Sequence, residues 1–176
     1  MEPNRSWRAH LVRGMLVVAG ISFLLALTAP QAHAQLRFGP EVAVGSDSGF
    51  GMGVRGVFPL RVGGPLDGVI DALYSTPSGT DSWIQTNANV RLAVPLSPAF
   101  ITTVGVGLNA SFISFDDGSD PTTDTDTLFG MNVLGGVAYP REGVLGGRAR
   151  PFAELRAVIG GAEEVVLTVG LTFGGP

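Results

Sequence analysis

From Val165 to Phe173 every odd-numbered residue is apolar (Val165, Leu167, Val169, Leu171, Phe173), and every even-numbered one after Val166 is Thr or Gly. Strict alternation means a β-strand with one apolar and one polar or small face. The pattern recurs. Ile84, Thr86, Ala88, Val90, Leu92 and Val94 alternate with Gln85, Asn87, Asn89, Arg91 and Ala93. Val104, Val106, Leu108, Ala110 and Phe112 alternate with Thr103, Gly105, Gly107, Asn109 and Ser111. Phe129, Met131, Val133, Val137 and Tyr139 oppose Gly130, Asn132 and Gly136. These runs have the length that a tilted strand needs to cross a bilayer, and their repetition predicts a membrane-spanning β-barrel, apolar face to lipid and polar face inward.

Gly and Pro clusters divide the chain into eight strand-length segments: 37–45, 49–59, 68–75, 83–94, 100–115, 127–139, 151–160 and 164–173. An even number of strands puts both termini on one side, the periplasmic side in barrels of this kind. The connections 46–48, 76–82, 116–126 and 161–163 then face outward. They hold Asp47, Asp81, Asp116, Asp117, Asp120, Asp124, Asp126 and Glu163, and no Arg. The connections 61–67, 95–98 and 140–150 hold Arg61, Arg141, Arg148 and Arg150 against Asp67 and Glu142. This sorting of charge is independent of the strand pattern and agrees with it.

The N-terminus reads as a targeting segment. Arg5, Arg8 and Arg13 precede an apolar stretch over residues 14–29, and Ala32-His33-Ala34 supplies a small-x-small cleavage site. The expected domains are a cleaved signal peptide, residues 1–34, and a β-barrel, residues 35–176. Mean hydropathy is +0.33, yet after Ala34 no apolar run is long enough for a membrane-spanning helix. There is no Cys, so no disulfide staples the fold.

Aromatic residues gather at both ends of the segments. Phe58, Phe100, Tyr139, Phe152 and Phe173 lie toward the inner ends, and Phe50, Tyr74, Trp83, Phe115 and Phe129 toward the outer ends. Two such bands match the aromatic girdles of membrane barrels. With the leader, the strand count and the Phe-bearing last strand, the chain resembles the small eight-stranded outer-membrane barrels of Gram-negative bacteria, the OmpA/OmpX-type class and its porin-like relatives. The resemblance implies an all-β, eight-stranded antiparallel up-and-down transmembrane barrel in the outer membrane. It implies contact with outer-membrane lipid and lipopolysaccharide, and a terminal strand read by the barrel-assembly machinery. Leu167, Val169, Leu171 and Phe173 fit that assembly pattern, although Gly174, Gly175 and Pro176 follow.

Charges inside the strands fall on the polar face. Glu41, Asp71 and Glu154 oppose Arg55, Arg91 and Arg156, three of each sign, and predict a neutral interior network. A charge in a narrow lumen is tolerable only when paired. The carboxylates Asp116, Asp117, Asp120, Asp124 and Asp126 could weakly gather a divalent cation, but their spacing is not that of an EF-hand, so no defined metal site is expected. Both His residues, His10 and His33, lie in the leader, and there is no Lys or Cys, which removes the usual acid–base and nucleophilic groups. No enzyme activity and no cofactor are expected. An acidic chain without a basic patch argues against nucleic-acid binding. Three functional readings follow: a packed, non-enzymatic outer-membrane barrel serving envelope integrity or surface interaction, a narrow porin-like conduit, and a secreted soluble ligand-carrier barrel.

Overall fold

The structure, a computed structural model, describes residues 36–60, 64–77, 82–97, 100–115, 124–139 and 149–174. Within them run β1 (Arg37–Gly45), β2 (Gly49–Pro59), β3 (Leu66–Ser75), β4 (Ser82–Ser97), β5 (Phe100–Phe115), β6 (Asp124–Ala138), β7 (Ala149–Ile159) and β8 (Glu164–Gly174). Each strand pairs antiparallel with its neighbour in sequence, and β8 returns to pair with β1, so the sheet is closed. Closure removes the free edges that an open sheet presents. Arg37 pairs with Gly174, which places the start of β1 and the end of β8 at the same end of the barrel.

The register is staggered. Cross-strand partners lead from Arg37 through Val57, Val69, Asn89, Gly107, Asn132 and Val158 to Glu164. Glu164 lies beyond Gly45, at the opposite end of β1, because Gly45 itself pairs with Val166. This displacement is the shear that tilts the strands of a closed barrel. Two tight connections rely on left-handed glycines. Gly49 has φ 66° after β1, and Gly160 and Gly161 have φ 75° and 66° after β7, values that a residue with a Cβ adopts only under strain.

The two faces separate as the alternation predicts. Leu108 is 65% exposed and the next residue, Asn109, 2%. Val54, Val90, Val104, Val106, Met131, Val133 and Leu167 face outward, while Arg55, Asn87, Asn89, Arg91, Asn132 and Thr168 are buried inside. A water-soluble carrier barrel has the opposite polarity, apolar within and polar without.

Several boundaries differ from the sequence expectation. β3 begins at Leu66, so Asp67 is a strand residue rather than part of a connection. β6 begins at Asp124, and Asp124 and Asp126 extend its ladder against Phe115 and Ile113. Arg150 belongs to β7. β4 runs on to Ser97 through Pro95. Leu92 pairs with Leu66, the first residue of β3, and past it the Ala93 N–H donates to the Pro65 carbonyl. Two residues on, the Pro95 nitrogen faces that same side, away from β5, so its missing N–H costs the β4–β5 ladder nothing.

Two aromatics expected in the girdles turn inward instead. Trp83 is buried with Ile113 and Ala162, with Leu128 against them, at the end of the barrel opposite the β1–β8 termini. Phe152 shares the inward face of Glu154 and Arg156, and its ring packs over Gly170 and beneath Arg55. Phe50, Tyr74, Phe100 and Phe129 do face outward, joined by Phe38. Phe100 and Tyr139 meet edge to face at 5.7 Å, and the Phe58 ring lies over Gly68 on the outer surface. Residues 1–34, the expected signal peptide, lie outside the described residues, as does the side chain of Phe115.

Leu108→Arg tests the outward face. We expect it to lower the unfolding free energy in phospholipid vesicles by about 2–4 kcal/mol, measured by denaturant titration. A change within about 0.5 kcal/mol, typical of a water-exposed position, would contradict a lipid-facing surface.

Candidate functional site, the charged lumen

The strands bring Glu41, Arg55, Asp71, Arg91, Glu154 and Arg156 into one buried network. Arg55 on β2 is its hub. Its Nη1 and Nη2 donate to Glu154 Oε2 and Oε1 at 3.1 and 2.8 Å, a two-pronged pairing with β7. Its Nε lies 2.7 Å from Glu41 Oε2 on the neighbouring β1, a contact that is ionic but outside hydrogen-bond geometry. Asp71 Oδ2 on the other side, on β3, is 3.7 Å from Nη2. The Phe152 ring closes over the guanidinium, 4.3 Å from its carbon. Arg156 Nη1 donates to both oxygens of Asp71, at 3.1 and 3.3 Å. The side chains of Arg55, Glu41, Asp71 and Arg156 have no exposure to solvent at all.

Asp71 also links the charges to an amide cluster. It accepts from Asn87 Nδ2 at 2.7 Å. Asn87 Oδ1 in turn accepts from Asn109 and Asn132, both at 2.9 Å. Asn132 also donates to Asn89 at 2.8 Å, and Ser111 donates to Asn109 at 3.0 Å. The lumen is thus crossed by side-chain bonds between strands that are not neighbours: β2 to β7, β3 to β7 and β4 to β6.

Further charges join at the two ends. Glu164 accepts from the Ser48 hydroxyl at 2.8 Å, from the Ser48 N–H at 3.3 Å, and from Gln85 Nε2. Arg37 Nη2 donates to Asp67 Oδ2 at 3.2 Å. Arg91 reaches the same oxygen at 3.5 Å and Glu154 Oε2 at 3.7 Å. The network is therefore larger than the balanced set of six. Sequence reasoning missed Asp67 because a Pro-bounded connection was drawn through it. Its even spacing from Asp71, which puts both on one face of a strand, was the available signal. Glu164 shares the even parity of Thr168 and could have been read the same way. The Asn residues were placed on the correct face, but parity does not say which of them touch.

Of the expected cation-binding loop, Asp116, Asp117 and Asp120 lie outside the described residues, and Asp124 and Asp126 lie on β6. Leu167 and Val169 of the expected assembly signal face outward on β8.

No protein-family model matches the sequence, and no curated protein matches it. Solved structures do match. The N-terminal β-barrel domain of Pseudomonas aeruginosa OprF superposes with a TM-score of 0.60 at 13% identity, over 79% of this chain and 97% of that one. Neisserial surface protein A (NspA) gives 0.59 at 17% identity, over 79% and 95%. Ail, the attachment invasion locus protein of Yersinia pestis, in complex with the heparin analogue sucrose octasulfate, gives 0.52 at 9% identity, over 79% and 94%. The fold is that of the small outer-membrane β-barrels. Within this fold an eight-stranded lumen is just wide enough for side chains to fill, and here the filling is ionic and amide.

Arg55→Met would leave Glu41 and Glu154 buried without their main cation. We expect a loss of about 3–5 kcal/mol in unfolding free energy in detergent, read by denaturant titration. A loss below about 1 kcal/mol would mean that water reaches these carboxylates.

Proposed function

We propose that this chain is a non-enzymatic integral protein of the bacterial outer membrane, exported by its N-terminal leader. Its packed, charge-paired lumen serves as a rigid strut that holds acidic outer loops at the cell surface, for envelope integrity or surface interaction. The observation that carries this reading is the inverted polarity: an apolar outer wall around fully buried ion pairs. Uncovered in water, that wall would be an aggregating surface; in hydrocarbon it is solvated.

The packed reading is favoured over the conduit. Arg55 and Arg156 occupy the lumen with about 1% exposure or less, and an apolar cluster is buried toward one end. The outward-facing residues of β8, ending at Phe173, suit recognition by the assembly machinery, and the apolar wall suits lipid and lipopolysaccharide. Ail was solved with a heparin analogue; the acidic outer connections of this chain favour a cationic partner instead.

The folded protein in detergent should migrate on a gel at a different apparent mass before and after boiling, and it should resist carbonate extraction from membranes. In planar bilayers it should show no steady unitary conductance. Identical mobility with full solubility in the absence of detergent would refute the membrane reading. Steady conductance would favour the conduit.

A further inference from the structure

One strand edge stands open at the outer end of the barrel. β5 and β6 stay paired as far as Phe115 and Asp124, but β7 pairs with β6 only from Met131 inward. The turn after β7 backs Phe129, whose carbonyl faces Gly161. From Asp124 to Leu128, β6 therefore has β5 on one flank and, among the described residues, no strand on the other. The direction of its backbone groups follows from parity. The Tyr139 N–H donates to the Pro151 carbonyl, on the β7 side, and neither register of β6 shifts along its length. Odd-numbered residues of β6 thus aim both backbone groups at that side. The N–H and C=O of Thr125 and Thr127 point at the empty flank. Both residues are exposed, as is Asp126 between them. They lie beyond Phe129, which faces outward in the outer aromatic band, so water meets these groups and hydrocarbon does not.

We infer that this edge is a docking site for an extended, basic polypeptide segment that joins β6 as an antiparallel strand. The inference rests on the surface-interaction reading above and names its site and partner. Thr125 and Thr127 offer four backbone groups, enough to pair with two residues of an incoming strand. β5 already holds the edge extended: Thr125 pairs with Ser114 and Thr127 with Phe112, and the hydroxyls of Thr125 and Ser114 meet at 3.3 Å. Little ordering is then left to the host on binding. Charge chooses the guest. The residue opposite Asp126 shares its face and lies within side-chain reach, which favours Lys or Arg there. Every charged residue described at this end, namely Asp47, Asp124, Asp126, Glu163 and Glu164, is acidic. A second copy fits badly. It brings like charge, and copies in one membrane all run β6 from outside inward, so none offers an antiparallel partner.

The test uses the full chain in a nonionic maltoside and a fluorescent seven-residue peptide in which Thr alternates with Lys, followed by anisotropy. Saturable binding is expected. Replacing its Lys residues by Glu should abolish binding, and methylating its backbone nitrogens should weaken it at least about tenfold. Thr127→Pro removes one edge donor and leaves the β5 ladder intact, as Pro95 does in β4. It should weaken binding about tenfold. Asp126→Asn should weaken it about threefold. Heat-shifted gel mobility shows that each variant is folded. Equal binding of the methylated peptide, or equal binding by Thr127→Pro, reduces the attraction to charge and overturns the edge. Equal binding of the Glu peptide overturns the basic partner. Concentration-dependent dimers that Thr127→Pro dissolves give the edge to a second copy and overturn the proposal too. No binding by a protein that still shifts its mobility and resists carbonate overturns this site and leaves the membrane reading standing.

Discussion

In hydrocarbon a peptide N–H or C=O finds no solvent partner, so each must be bonded within the protein. An antiparallel sheet meets that demand only if its first and last strands join, which the β1–β8 seam does. Closure then fixes almost everything else. Once the strands form a cylinder, period-two geometry sends half the side chains outward and half inward. The inward half must fill a space only a few side chains wide. Residues of both kinds therefore occupy strands that, among the described residues, no helix or second sheet covers.

Buried polar and charged residues outnumber buried apolar ones here, and that choice has an energetic logic. A lone guanidinium in the lumen would be strongly unfavourable, and even a pair repays its desolvation only with good geometry. Arg55 meets this with two bonds to Glu154, a close contact to Glu41 and an aromatic ring over its face. Arg156 and Asp71 repeat the device with Asn87 as a third member. Such bonds are directional, so they reward one register of the barrel over its slipped alternatives. Apolar filling would hold the walls apart without naming which strands face each other.

The faces were legible because alternation is a local property. Asn87, Arg91, Asn109 and Glu154 could be assigned to the interior from parity alone, and the closed eight-stranded order followed from strand count. Contacts across the lumen were not legible. The pairing of Arg55 with Glu154 joins residues far apart in sequence and depends on shear, which parity does not encode. Trp83 and Phe152 show a second limit. Aromatic identity and a position near a strand end suggested a girdle, but parity placed both inward, and the geometry follows parity. Strand ends were short in expectation because turn residues were read as breaks. Asp124 and Pro95 both continue a ladder, and at Pro95 the nitrogen points away from β5, so no bond of that ladder is lost.

The step at which β4 outruns β3 leaves a stretch of backbone with a strand on one flank only, among the described residues. An unpaired margin of this kind is a template for stray strands from other chains. Pro95 withholds the hydrogen that an incoming strand would bond to at the middle of that margin. One imino acid thus leaves a gap in the ladder of donors at a margin where the described strands stand unpaired on a flank.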